Sequence, residues 1–189
     1  MTLFPSTAAH RIRAAIPVIA AWFLFPACAI VDGNDPSLDV RFSVAETRYD
    51  VFFDGNDPAV SFEIASTIEN RGSAAIHLLG CQTPNRPQLQ KNVAGIWTTV
   101  YSMFELECIS PPFVLDKGDS YSDVLEVETP LDPEFSLGAK WESGIAVDGT
   151  YRLIRNVFGR GIPDGDGASV LLEERFRVSG TFEIRAFVE

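Results

Sequence analysis

The three cysteines have the most distinctive chemistry in this 189-residue chain, because a thiol can carry a lipid, form a disulfide or bind a metal. Cys28 ends an apolar run, whereas Cys81 and Cys108 lie in the middle of the chain. In an oxidising compartment this pair predicts a Cys81–Cys108 disulfide, which would close a loop of about 28 residues and stabilise the fold by roughly 3–4 kcal/mol. Two free buried thiols are the alternative. A metal site joining the pair to distant His77 is not expected, and no metal or other cofactor is predicted.

Residues 1–29 have the pattern of an export signal: two arginines, an apolar run over 14–25 and then small residues. The segment Leu24-Phe25-Pro26-Ala27-Cys28 resembles the lipobox of bacterial lipoproteins, which implies cleavage before Cys28 and a lipid on its sulfur. Cleavage after Ala29 by ordinary signal peptidase is the first alternative. An uncleaved membrane anchor is the second, because 14–31 contains no charge. All three interpretations place the mature domain outside the cytoplasm. It would be lipid-anchored in the cell envelope, periplasmic or secreted.

The leader divides the chain into a signal (1–29), a linker (30–37) and one globular domain (38–189). A composition of 46% hydrophobic and 22% charged residues is that of a folded protein. The net charge of the whole chain is −11. Without the leader, 13 basic residues face 26 acidic ones, a net charge of −13. Such an acidic domain argues against nucleic acid as the main partner.

Asp- and Gly-rich turns offer oxygen atoms that could hold calcium. They occupy 32–36, 54–58 and 164–167. Asp, Asn and Gly are also the residues that turns prefer, and plain turns are the favoured interpretation.

Catalytic chemistry finds little support in the sequence. His77 is the one histidine of the domain and lies within an apolar strand, so it is interpreted as a packed or surface residue. No nucleophile-elbow, phosphate-loop or zinc-protease motif is present. We therefore expect a protein that is not an enzyme.

Arginines are concentrated in the C-terminal third of the chain. We predict that they pair with acidic neighbours across strands, and a local patch that binds an anion or a partner is the alternative. The residues are Arg152, Arg155, Arg160, Arg175, Arg177 and Arg185.

The elements that position these residues are predicted to be β-strands. Apolar and polar residues alternate over 38–45, 60–69 and 176–189, the pattern of half-buried strands. Weaker strands are predicted over 74–79, 96–103, 120–128 and 150–157, with one or two helical turns over 168–175. About seven short strands in some 150 residues predict a β-sandwich.

Five short segments carry a family resemblance. They are an Asn-containing turn after a strand (64–72), a Gly-Ile-Trp strand (95–97), a Leu-x-x-Gly-x-Ser turn (115–120), a Gly-x-Tyr-Arg-Leu strand (149–153) and a closing strand (179–184). In this order they resemble bacterial immunoglobulin-like domains of secreted and lipid-anchored proteins, and they are similar to the bacterial intracellular proteinase inhibitor fold family. The resemblance implies an immunoglobulin-like antiparallel sandwich over 38–189, in which the Tyr151 hydroxyl ties a connection to the sheet.

The function expected from these features is a non-catalytic binding or structural domain of the cell envelope, with an unknown envelope protein or polymer as partner. We expect recognition by loops at one end of the sandwich, 82–95 and 129–147, with Trp97 and Trp141 as candidate anchors. Core packing is the alternative for both tryptophans and is favoured for Trp97. A protease inhibitor, by resemblance, and a hydrolase with an unrecognised site are the other functional alternatives.

Overall fold

The computed structural model describes residues 37–53, 59–103, 111–130, 140–142, 145–159 and 170–188. This part of the chain is all-β, as predicted. Its strands are β1 (Val40–Val44), β2 (Arg48–Phe53), β3 (Ala59–Asn70), β4 (Ile76–Leu78), β5 (Gln88–Val93), β6 (Ile96–Ser102), β7 (Phe113–Leu115), β8 (Ser120–Pro130), β9 (Lys140–Trp141), β10 (Gly149–Ile154), β11 (Val157–Phe158) and β12 (Phe182–Val188), with a short 3-10 helix at Glu174–Phe176. The leader 1–29 and all but the last residue of the linker 30–37 lie outside the described residues. Within the described ranges, no helix has the length and hydropathy that a membrane crossing requires.

The strands form three sheets. The first has the order β1-β3-β8, the second β2-β12-β10-β5-β6-β9, and the third β11-β4-β7. All pairs are antiparallel except β2 with β12, which run parallel over six residue pairs from Arg48↔Glu183 to Phe53↔Val188. The longest pairing joins β3 to β8 over eleven residue pairs.

One hydrophobic cluster unites the first two sheets. It contains Ile64 and Leu125 from β3 and β8, and it contains Leu153 and Phe182 from β10 and β12. Each of these side chains is at most 2% exposed. Because burying one large apolar side chain stabilises a protein by about 1.5–3 kcal/mol, this shared core holds the two sheets together.

Asn70 fixes the turn that follows β3. Its side chain is fully buried, and its Nδ2 donates to the carbonyl oxygens of Ala74 and Leu115, both at 2.8 Å. Its Oδ1 accepts from the Gly72 amide at 3.1 Å. All the hydrogen-bonding groups of this amide are therefore engaged, as burial of a polar side chain requires.

A second polar group is buried between β3, β8 and the end of β10. Arg155 donates from Nη2 to Asp123 Oδ2, and Ser66 donates from Oγ to Asp123 Oδ1 at 2.7 Å. The Arg155 and Asp123 side chains are only 2% and 13% exposed. The arginine-to-acid pairing that the sequence predicted is thus found here inside the protein.

The strand predictions were correct for the alternating segments and incomplete elsewhere. Twelve strands are described, against about seven expected, because β2, β5, β7, β9 and β11 were missed as separate strands. The final strand begins only at Phe182, since 174–176 form a 3-10 helix instead of continuing the alternation. The segment 82–95, expected as a loop, contains β5, which is paired on both sides within the six-stranded sheet.

Candidate functional site

Trp97 and Trp141 belong to β6 and β9, the last two strands of the six-stranded sheet. Trp97 is the second residue of β6, and the Trp141 backbone pairs with Tyr101. Tyr101 is four positions after Trp97 in β6, so the point at which the Trp141 backbone pairs lies about 13 Å along the strand from Trp97. The Trp141 side chain lies outside the described residues.

Trp97 lies on the outer face of this sheet. It is half-buried and is not a member of the core cluster, so the favoured prediction of core packing was wrong. The reason is register: Trp97 pairs with Asn92, one residue after inward-facing Lys91 on β5, and neighbouring residues of a strand face opposite sides.

Arg152 covers Trp97. The guanidinium carbon of Arg152 lies 4.5 Å from the centre of the Trp97 ring, within range of a cation–π contact. Arg152 also donates from Nε to Gln90 Oε1 at 2.9 Å, and its Nη2 lies 2.6 Å from Glu174 Oε1. Three contacts thus fix this side chain, and it holds the indole ring in place.

Beyond Trp97, β5 and β6 meet in a tight hairpin, whose residues Val93–Ile96 we call the hairpin tip. Ala94 and Gly95 have φ values of 52° and 88°, the two positive values of a type I′ turn. The Gly95 amide donates to Asn92 Oδ1 at 2.8 Å and closes the turn. Val93 and Ile96 are directly paired across the hairpin, and they are 39% and 70% exposed. The tip therefore presents two apolar side chains to solvent on a rigid turn.

Two hydrogen bonds join the segment that precedes β10 to strands of the six-stranded sheet. The fully buried Tyr151 hydroxyl donates to the carbonyl oxygen of Val147, which is the contact predicted for this tyrosine. Lys91 donates from Nζ to the carbonyl oxygen of Ala146 at 2.6 Å. Burial raises the pKa of Tyr151 and lowers the pKa of Lys91, because both charged forms are disfavoured away from water.

The remaining predicted site residues are only partly described. Cys81 is half-buried in the connection between β4 and β5, whereas Cys108 and Cys28 lie outside the described residues, so the disulfide and the lipid stay predictions. The Asp- and Gly-rich turns at 32–36, 54–58 and 164–167 also lie outside them. Among the described residues, no group of three or more His, Cys, Asp or Glu side chains is arranged to hold a metal ion.

His77 is half-buried on β4, between β7 and β11. Its Nδ1 is buried without a hydrogen-bond partner, and burial lowers its pKa.

A shallow cavity of about 250 Å³ lies on the sheet β1-β3-β8. Its lining is mostly small side chains such as Ala65, Thr67 and Ser122, and the one titratable side chain in it is Asp123, already bonded to Arg155. Ligand sites for small molecules are usually larger, about 300–1,000 Å³, and converge several polar groups.

Comparison with known proteins gives no family for this chain. No protein-family model matches the sequence, and no curated protein matches it either. Among solved structures, the CooA pilin subunit from enterotoxigenic Escherichia coli is similar at 10% identity and a TM-score of 0.27, over 79% of this chain and 98% of the pilin chain. A likeness this distant supports no inference about function.

Sequence reasoning identified Trp97 but missed its setting. Arg152 was expected to pair with an acidic residue, which it does through Glu174, but its contact with Trp97 was not foreseen. The exposed pair was missed because Val93 fell within the predicted loop 82–95, whereas Ile96 was predicted as the first residue of a strand. The Ala94-Gly95 dipeptide before Trp97 was the available signal for the turn.

Proposed function

We propose that this chain is an exported, non-catalytic domain of the cell envelope with an immunoglobulin-like sandwich fold, and that it binds a partner through the hairpin tip. The strand order supports the fold, because a small sheet β1-β3-β8 shares its core with a larger sheet in which β2 runs parallel to the last strand, β12. The hydrogen bond from Tyr151 to a carbonyl four residues earlier supports it as well, since it has the form of the tyrosine corner of such domains.

The proposed location is supported by the leader. A basic start, an uncharged apolar run and small residues before Cys28 form the pattern of a secretory signal. In an oxidising compartment, Cys81 and Cys108 would form a structural disulfide. A lipid on Cys28 would then leave the linker 30–37 between the membrane and the folded domain.

The observation that carries the proposed binding role is the exposed pair at the hairpin tip. Ile96 is 70% exposed, the largest exposure among the large hydrophobic residues described, and its cross-strand partner Val93 is exposed as well. Ala94 between them adopts a left-handed backbone conformation that costs an L-residue about 1–2 kcal/mol. Strained backbone and exposed apolar side chains on a rigid scaffold are features of recognition elements.

The Trp97 and Arg152 pair lies on the outer face of the sheet, one residue from the hairpin tip. Trp97 follows Ile96 in β6, so the two side chains face opposite sides of the sheet, and the guanidinium over the indole ring is engaged by Gln90 and Glu174. The pair therefore supports the hairpin from its outer face, and the proposed contact surface is the exposed apolar pair Val93 and Ile96 itself. A protein partner with a complementary apolar pocket is therefore the proposed ligand.

A photocrosslinking residue placed at position 96 of the full-length protein tests this proposal in intact cells. We expect a discrete crosslinked product from position 96 and none from position 114. Val114 is the matched control because it is also a large exposed hydrophobic residue, 50% exposed, but lies on β7 in another sheet. Equal products from both positions, or no product from position 96, would show that the hairpin tip is not a binding surface.

An Ile96→Asp variant supplies the second part of the test. It should abolish crosslinking from a probe at Val93 while changing the free energy of unfolding by no more than about 0.5 kcal/mol, because the side chain is mostly exposed. Val114→Asp should leave crosslinking from Val93 intact. Persistence of the Val93 product in the Ile96→Asp variant contradicts the proposal.

A further inference from the structure

Two exposed phenylalanine side chains lie together on the outer face of the six-stranded sheet. Phe52 of β2 pairs with Phe187 of β12, and their rings stack with centres 5.4 Å apart. They are 59% and 44% exposed, and they are the two aromatic residues among the large exposed hydrophobics of the described ranges. Single exposed apolar residues are ordinary, whereas apolar groups that are exposed side by side are a feature of interaction surfaces.

Four charged side chains share this face with the two rings. Val51 and Ile184 are at most 2% exposed and point into the core, so the residues that alternate with them on β2 and β12 point outward. The charged side chains are between 42% and 56% exposed. They belong to Arg48 and Asp50 on β2 and to Glu183 and Arg185 on β12, and together with Phe52 and Phe187 we call them the outer patch.

The charges of the outer patch alternate in both directions. Across the two strands, Arg48 pairs with Glu183 and Asp50 pairs with Arg185. Along each strand the signs alternate as well: Arg48 Nε lies 3.6 Å from Asp50 Oδ1, and Arg185 Nη2 lies 3.3 Å from Glu183 Oε2. The outer patch is therefore neutral in an otherwise acidic protein, so a second copy of the chain is not repelled there.

This arrangement is self-complementary. The strands β2 and β12 run parallel, so a second copy turned by half a turn about an axis along the strands places its β12 over β2 and its β2 over β12. Each residue then faces its own cross-strand partner from the other copy. Arg48 faces Glu183 of the second copy, Asp50 faces Arg185, and Phe52 faces Phe187.

We infer that the outer patch is a self-association surface, through which two copies of this chain form a two-fold symmetric dimer. Such an interface needs a surface that is complementary to itself. The two stacked rings supply the apolar contact, and the four charges set the orientation of the copies. A second copy matches these charges one by one, which favours it over a lipid surface as the partner. The inference goes beyond the binding role of the hairpin tip, which lies on β5 and β6 and stays free in the dimer.

Sedimentation velocity of the full-length protein over a range of concentrations tests the apolar contact. The outer patch is small beside the ~800 Å² that a stable interface buries on each partner, so we expect a weak dimer with a Kd on the order of 0.1 mM. Phe52→Thr should weaken this association by about tenfold or more, because a two-fold interface contains the substitution twice. Val114→Thr is the matched control, since Val114 is 50% exposed on β7 in another sheet, and it should dimerise like the wild type. Association through residues 1–29 would be the same in all three proteins.

A pair of charge-reversal variants tests the orientation. Arg48→Glu alone and Glu183→Arg alone each place like charges opposite one another in the proposed dimer, so neither should dimerise where the wild type does. An equal mixture of the two variants should restore dimers, because the introduced glutamate at position 48 then faces the introduced arginine at position 183 of the other copy. Mixing changes no contact within a chain, so recovery reports the contact between copies.

Three results would overturn the inference. They are a wild type that stays monomeric at about 1 mM, association that Phe52→Thr leaves unchanged, and no recovery of dimers in the mixture. A monomeric wild type that binds phosphatidylcholine vesicles more tightly than Phe52→Thr does would assign the two rings to a lipid surface instead. Dimers that survive Phe52→Thr would assign association to another surface, such as the free edge of β2.

Discussion

Replacing Asp123 by asparagine is the most informative perturbation of the core. The change keeps the size of the side chain and removes the charge that faces Arg155. The two partners are 13% and 2% exposed, so water cannot compensate for the missing charge. Ser66 loses its charged acceptor and retains a weaker, neutral one.

The expected loss follows from this burial. Breaking a buried ion pair by removing one partner typically costs about 3–5 kcal/mol, because the other charge stays buried and uncompensated. The asparagine oxygen still accepts a hydrogen bond, so we expect about 3 kcal/mol, the lower end of this range. Such a loss is a large share of the 5–15 kcal/mol that stabilises a typical domain.

Urea unfolding followed by circular dichroism measures this loss. Glu183→Gln is the matched control, because it removes one charge from the pair with Arg185, in which both side chains are more than half exposed. The control should change the free energy of unfolding by less than about 1 kcal/mol. If Asp123→Asn costs no more than Glu183→Gln, the charge of Asp123 does not stabilise the buried network.

Replacing both partners by apolar residues separates charge burial from packing. The double variant Asp123→Leu with Arg155→Met leaves no charge unpaired, and buried ion pairs replaced in this way are often neutral or stabilising. We expect it to be more stable than Asp123→Asn. A double variant that is less stable than the single one would show that shape, not charge, determines the loss.

Four further predictions concern the hairpin, the loop before β10 and the inhibitor alternative. Ala94→Gly should stabilise the protein by about 0.5–1 kcal/mol in urea unfolding, because glycine adopts the positive φ without strain; a loss of stability would contradict the I′ turn. Tyr151→Phe should cost about 1–2 kcal/mol in the same assay, because it deprives the buried Val147 carbonyl of its donor, and an unchanged stability would exclude that hydrogen bond. Burial lowers the pKa of Lys91, so the unfolded state binds its proton more readily, and the free energy of unfolding should rise with pH between the lowered pKa and about 10.5. Lys91→Met should remove that rise. A free energy of unfolding that does not change with pH over this range in the wild type would refute the shift. At micromolar concentration the protein should inhibit no member of a protease panel, whereas inhibition that Ile96→Asp abolishes would favour the inhibitor function.

The parts of the fold that the sequence predicted are those in which one face is apolar and the other polar. Residues 60–69 alternate cleanly, and β3 buries Val60, Ile64 and Ile68 as expected. The strand β5 escaped prediction because its inward positions are Leu89 and Lys91, and a lysine breaks the apolar pattern. Only the structure shows that the Lys91 amine finds the Ala146 carbonyl, so that a charged residue can lie inside a strand.

The candidate site was predictable to a similar degree. A tryptophan after a glycine indicated a position of interest, but the face on which Trp97 lies depends on the register with Asn92, and register is set by pairing across the hairpin. The contact of Arg152 with Trp97 was beyond prediction because these two residues are 55 positions apart in the chain. Composition indicated only that arginines are frequent in the last third of the chain.

Intact-mass measurement of the native protein, isolated from its own membrane fraction, tests most directly whether this is an exported envelope domain. The expected mass is that of a chain beginning at Cys28, with a diacylglyceryl lipid on its sulfur and without the thiol hydrogens of Cys81 and Cys108. A chain beginning at Ile30 would agree with the proposed export of the protein but would exclude a lipid on Cys28. A full-length chain from Met1 in the soluble cytoplasmic fraction, with all three thiols free, would contradict the proposal.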